Sequence, residues 1–230
     1  MELQASYPEG VFSNLLSWIV FIPLIGTTVI LCLPKRSIQM VKNVSLIATF
    51  IPLVLATYLY FGAFDKGTAA IQLVERFSWI PAINVDYFIG VDGISLPLVW
   101  LTTLLLFIGV PASFGIKKAE KAYYALLLLL EVGILGVFVS LDYFLFYVFW
   151  EIMLLPMYFL IGVWGGPRRE YAAIKFFLYT LAGSVLMLVA VVAIIALSGW
   201  KITKTGGAGT RLLVLAGLLV RREQNLGGRE

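Results

Sequence analysis

Six stretches of this chain run for about 20 residues each with hardly a charge, the length a helix needs to cross the hydrocarbon core of a bilayer. They cover approximately 15–33, 44–64, 94–115, 123–140, 143–163 and 171–198. Of the 230 residues, 61% are hydrophobic and 13% charged, against about 45–50% and about 25% in soluble domains. A chain so composed has too few polar groups to cover its apolar surface, so its solvent is lipid. The expected fold is an all-α polytopic membrane protein with about six transmembrane helices.

The connecting segments alternate in charge. Lys35, Arg36 and Lys42 follow the first run, Lys117, Lys118 and Lys121 the third, and Arg168 and Arg169 the fifth. Acidic residues dominate the segment after the second, and Asp142 alone separates the fourth from the fifth. Basic loops face the cytoplasm, which sets the N-terminus outside. The first run follows Glu2 and Glu9 with no preceding Lys or Arg, unlike a cleavable signal, and is expected to stay as a membrane helix. The segment 65–92, with FSWIPAINVDYFIGVDGIS, reads as a folded loop at the outer interface, where Trp and Tyr prefer to sit. From 199 to 230 the pattern breaks into a basic tail carrying Lys201, Lys204, Arg211, Arg221, Arg222 and Arg229. Its apolar centre is too short to span.

Composition also restricts the chemistry. There is no histidine and Cys32 is the only cysteine, which leaves no cysteine-based zinc or iron–sulfur motif and no intrachain disulfide. The usual proton carrier near pH 7 is missing too, so proton chemistry falls to carboxylates, lysines, tyrosines or water. Two carboxylates lie inside apolar runs, Glu131 in LLLLLEVGILG and Glu151 in FYVFWEIMLLPMYFLIG. A charge at the bilayer centre costs about 2.5–3.5 kcal/mol on insertion scales, so such residues face protein and are functional candidates. Counted from the short turn at 141–142, both lie at similar depth on a tight helical hairpin. If they face each other, one could hold a proton near neutrality as a relay site.

Pro156 frees the carbonyl of Ile152 beside Glu151, and a freed carbonyl in a membrane needs a neighbour or water. Lys175 is a possible charge partner for Glu151, although its long stem also allows it to snorkel to the inner surface. Tyr147, Tyr158 and Tyr179 are candidates to line a wet path, and Gly183 and Ser184 to allow close helix approach.

LDYFLFYVFWEIMLLPMYFLIGVWGGPRREYAAIKFFLYTLAGSVLML, with FIGVDGISLPLVWLT upstream, resembles the antiporter-like membrane subunits of proton-pumping NADH–quinone oxidoreductase (complex I), most of all those called M or chain 4. The related cation/proton antiporters are similar in the same helices. The resemblance implies the N-terminal portion of a fourteen-helix fold built from two inverted repeats. Residues 1–122 would hold three helices and the outer loop 65–92. Residues 123–198 would begin the first repeat, and 199–230 would diverge from the family. It further implies that Glu151 is the ionisable partner of a lysine on a later, broken helix. No cofactor is expected in this chain. Its partners would be other membrane-arm subunits, with NADH and quinone met only through them, in a bacterial inner or plasma membrane. Lacking the later helices, a chain of this extent is expected not to move protons alone; the competing readings are a cation/proton antiporter subunit and an inert structural fragment.

Overall fold

The computed structural model describes residues 14–34, 37–65, 67, 70–80 and 85–197. The basic tail, Glu2, Glu9, Lys35 and Arg36 lie outside the described residues. Six long helices stand where the apolar runs predict them: α1 (Leu15–Cys32), α2 (Ile38–Tyr58), α3 (Ser95–Ala112), α4 (Glu120–Val139), α5 (Tyr143–Trp164) and α6 (Arg169–Leu197). All six are long and apolar enough to cross a membrane. A wider π-type turn, Leu59–Ala63, carries α2 onward.

Helix ends follow polar chemistry more closely than the limits of the apolar runs. α2 begins six residues before its run because its polar first turns find partners. Gln39 donates to Asn43, while Lys42 pairs with Glu120 at 3.1 Å and donates to the Phe114 carbonyl. Asp142 accepts from the backbone N–H of Phe144 and Leu145, an N-cap that fixes the tight α4–α5 turn. At the opposite end, Lys121 donates to the carbonyls of Leu31 and Leu33, and Lys118 to that of Val163. These lysines neutralise the orphan carbonyls that end α1 and α5.

α4 is the central stave, packed against α1, α2, α3 and α5. Glycines set the closest approaches. A Cβ on Gly26 would meet Ala48 at 2.5 Å, one on Gly133 would meet Met153 at 3.0 Å, and one on Gly136 would run into the Phe149 ring. Two apolar clusters result. One gathers Ile30, Val41, Val110, Tyr124 and Leu128 towards the lysine-rich end. The other gathers Leu16, Ile19, Leu59, Val99, Leu135 and Phe149 towards the opposite end. α6 leans on α5 and leaves most of its length uncovered.

The outer loop holds an element that its reading as a folded loop does not specify. β1 (Gln72–Ile80) pairs antiparallel with β2 (Val85–Val91). The alternation of VERFSWI and VDYFIGV around a four-residue gap is the available signal. Arg76 and Asp86 pair across the strands at 2.6 Å. Beyond the sheet, Leu141 N–H donates to the Phe88 carbonyl at 2.9 Å, which stitches β2 to the α4–α5 turn.

A buried carboxylate fastens the hairpin to α1. Glu75 is 4% exposed and accepts from the N–H of Leu16 at 2.8 Å, the N–H of Ser17 and the Ser17 hydroxyl. It therefore caps α1 from a strand almost sixty residues away. The Ser17 hydroxyl has one proton, given to Glu75, so the Tyr87 hydroxyl donates to Ser17 at 2.9 Å. Burial pushes Tyr87 up to about 12, with the Glu75 charge adding to it, which keeps that donor protonated. Burial also pushes Glu75 above the ordinary carboxyl value, against the hydrogen bonds from Ser17 and Leu16.

Candidate functional site

α5 presents two different faces to its two neighbours. Phe149 and Met153 meet Gly136 and Gly133 of α4. Glu151 lies two residues from each, about 200° around the helix, and so faces away from α4 towards α6. There its Oε1 accepts from the Ser184 hydroxyl at 2.5 Å. Further along the same seam, the Tyr158 and Phe177 rings meet edge to face at 5.4 Å between centroids. A Cβ on Gly162 would touch Ala173 at 3.4 Å. The three pairs are in one antiparallel register: 151 with 184, 158 with 177, 162 with 173. The spacings of seven and four on each helix make a coiled-coil-like seam, with the carboxylate occupying a position that an apolar knob would fill.

Tyr147 stands one turn before Glu151 on the same helix, with its hydroxyl beside the Glu151 and Ser184 side chains. One carboxylate and two hydroxyls thus form a polar cluster about 12 Å along the axis from the start of α5. It combines the one group that gains and loses a proton readily with two that donate or accept equally well. Pro156 is buried in the same helix, one turn further on. Its ring leaves the Ile152 carbonyl without its helical donor.

Glu131 is placed differently. It is fully buried on α4, and among the described residues neither carboxylate oxygen has a hydrogen-bond partner. It lies between Leu128 of one apolar cluster and Val132 and Leu135 of the other. The register Gly133–Met153 and Gly136–Phe149 sets Glu151 level with residues 134–135. Glu131 is therefore offset by three to four residues, about 5 Å. Similar depth, as counted from the turn, gives way to this stagger. The two carboxylates lie on opposite sides of α5 rather than face to face.

Lys175 does not meet Glu151 either. It is nine residues before Ser184, half a turn around α6 in angle and about 14 Å along it. Its ammonium lies 5.8 Å from the ring centres of both Tyr171 and Tyr179, on the exposed face. Of the three tyrosines singled out in sequence, only Tyr147 joins the carboxylate. Tyr158 packs in the seam, and Tyr179 is 71% exposed beneath Lys175. A methyl added at Gly183 would have nothing within 4 Å, so Ser184 alone of that pair faces α5. In the sequence Ser184 reads as a small packing residue. The signal that marks it out is its separation from Ala173 by eleven residues, which returns it to the same helix face.

Residues 140–219 match a family model described as NADH:quinone oxidoreductase/Mrp antiporter, transmembrane. The match takes in all of α5 and α6 and runs past residue 197 into the basic tail. NAD(P)H-quinone oxidoreductase chain 4 1 of Synechococcus elongatus is 37% identical over 213 residues, which is 89% of this chain and 40% of that protein. NADH-quinone oxidoreductase subunit M of Rhodobacter capsulatus is 43% identical over 190 residues, 81% of this chain and 36% of that one. Among solved structures, a chain of respiratory complex I from Thermus thermophilus with bound NADH superposes with a TM-score of 0.67 at 28% identity. The superposition covers 80% of this chain and 36% of the other. The chain thus spans about two fifths of the length of the curated relatives it matches.

Proposed function

This chain belongs to the NADH:quinone oxidoreductase/Mrp antiporter membrane family, in the branch of subunit M or chain 4, and on that premise we propose that it takes part in proton translocation as a membrane subunit of an NADH–quinone oxidoreductase. Electrons pass from NADH to quinone in other subunits, and this one holds no redox centre or cofactor of its own. It sits in a bacterial inner or plasma membrane beside the other membrane-arm subunits, with its N-terminus outside. Glu151 is the carboxylate that takes up and releases the proton. The observation that carries the reading is the Glu151–Ser184 hydrogen bond, a titratable group held by a hydroxyl in an otherwise apolar helix seam, with Tyr147 beside it. An intramembrane carboxylate is costly to keep, and a seam serving only for packing would do better with leucine.

Glu131 is a second proton-holding site on the other side of α5. A proton passing between the two carboxylates needs water across the width of a helix, about 10 Å, as well as the roughly 5 Å stagger, and the carbonyl freed by Pro156 offers such water an acceptor. Lys175 stands outside this path. The family's Mrp branch supports a second reading, a cation/proton antiporter without redox coupling. The identities of 37% and 43% to oxidoreductase subunits favour the first.

Glu151→Gln in membranes that contain the assembled complex tests the proposal. NADH-driven proton pumping is expected to fall at least about tenfold, the size of effect typical of losing a proton-transfer group. NADH oxidation by a soluble artificial acceptor should stay unchanged. Normal pumping by the variant would overturn the role of Glu151. Copurification without flavin or iron–sulfur subunits would instead favour the antiporter reading.

A further inference from the structure

We propose that Ser184 is a positioning residue whose hydroxyl turns with the charge of Glu151, so that Glu151 Oε1 keeps a hydrogen-bond partner whether or not the carboxyl group carries a proton. This rests on the reading of Glu151 as the proton-handling group and names what holds it. The Ser184 hydroxyl has two acceptors within reach. One is Glu151 Oε1 at 2.5 Å and the other is the Leu181 carbonyl at 3.2 Å, one turn back on α6. A hydroxyl has a single proton and two lone pairs, so it serves one acceptor at a time at full strength.

When Glu151 is ionised it only accepts, and Ser184 donates to it. When Glu151 gains a proton, that O–H donates to a lone pair of Ser184 Oγ, and the Ser184 proton swings to the Leu181 carbonyl. No covalent bond changes in Ser184. The only net event is the proton arriving at the carboxyl group. A lysine or an amide N–H in place of Ser184 would suit only the ionised form, because neither offers a lone pair.

The other charged groups near these helices do not share the task. Glu131 lies beyond the far face of α5, and Lys175 points away from the seam. A buried polar group left unpaired is what makes a protonation change expensive. The rotor removes that penalty from both states, which a static hydrogen-bond partner cannot do.

The test uses the assembled complex in its membrane, with Glu151→Gln as reference. The infrared carbonyl band of protonated Glu151, identified by its loss in Glu151→Gln, should move in Ser184→Ala. Proton pumping should drop about tenfold, the worth of a hydrogen bond to a charged group. Ser184→Thr keeps the hydroxyl and should restore both band and pumping. If Ser184→Ala does not assemble, Ser184→Cys, which keeps the volume with only a weak donor, should show the same displaced band. An unmoved band and normal pumping in Ser184→Ala or Ser184→Cys would overturn the rotor and leave Glu151 in its role, provided Glu151→Gln still abolishes pumping. Normal pumping by Glu151→Gln overturns the parent reading itself.

Discussion

Among the described residues Glu75 and Glu131 are buried and Glu151 half-buried, and each is handled by different means. Glu151 has hydroxyls, Glu131 has apolar side chains, and Glu75 has the amino end of a helix. Sequence alone exposes the first two, because a carboxylate inside twenty apolar residues has no harmless explanation. Glu75 escapes notice because a charge in a polar loop reads as solvated until the loop folds over it. Its partners are equally hidden, since backbone N–H groups leave no mark in a sequence. Glu75 also makes a pH prediction. Its carboxyl is held above the ordinary value of 4.5 in the folded protein, chiefly by burial. The fold therefore binds that proton more tightly than the unfolded chain does. The associated stability is fully present below the ordinary carboxyl range and is lost as pH rises through the raised value. Melting temperatures of wild type and Glu75→Gln, which does not titrate, should converge in acid and separate as pH rises through the raised carboxyl value, with the variant higher. Parallel curves across that range would contradict the assignment.

The number and order of the helices are legible in hydropathy because the bilayer imposes one length on every crossing. Which face of each helix meets which neighbour is not, because a helix apolar all round has no preferred side. Small residues and registers decide that instead. The sequence draws the eye to Gly183, but the contacts that matter are at Gly26, Gly133 and Gly136. Gly136→Ala drives a methyl against the Phe149 ring and should destabilise the α4–α5 pair by about 1–3 kcal/mol, as overpacking does. Gly183→Ala meets nothing and should be neutral, or stabilise α6 by about 0.5–1 kcal/mol through the lost flexibility of glycine. Thermal unfolding of the two variants in detergent distinguishes them, and equal effects would contradict the packing described. The β-hairpin is readable in sequence only as an aromatic interfacial loop. Glu75 and Leu141 join it to other parts of the chain, through contacts that no local pattern announces.

For the molecule as a whole, the lysines at one end and the hairpin at the other give the bundle a polarity. The proposed orientation sets the hairpin outside. In a Cys32→Ser background, a membrane-impermeant thiol reagent applied to intact cells should label Ser78→Cys on the exposed side of β1. It should label Lys117→Cys, between α3 and α4, only after the membrane is opened. The reverse pattern would invert the topology. The bundle is also uneven in how firmly its parts are held. α1 to α5 share the two apolar clusters and their glycine contacts, whereas α6 leans on α5 along one seam. In chain order α6 is the last of the six, and the seam with α5 is its main docking contact. The polar point at which it docks is the Glu151–Ser184 contact. A docking step with a titratable group at its centre is sensitive to the charge on that group. A change in that charge therefore bears first on the seam that joins α6 to α5.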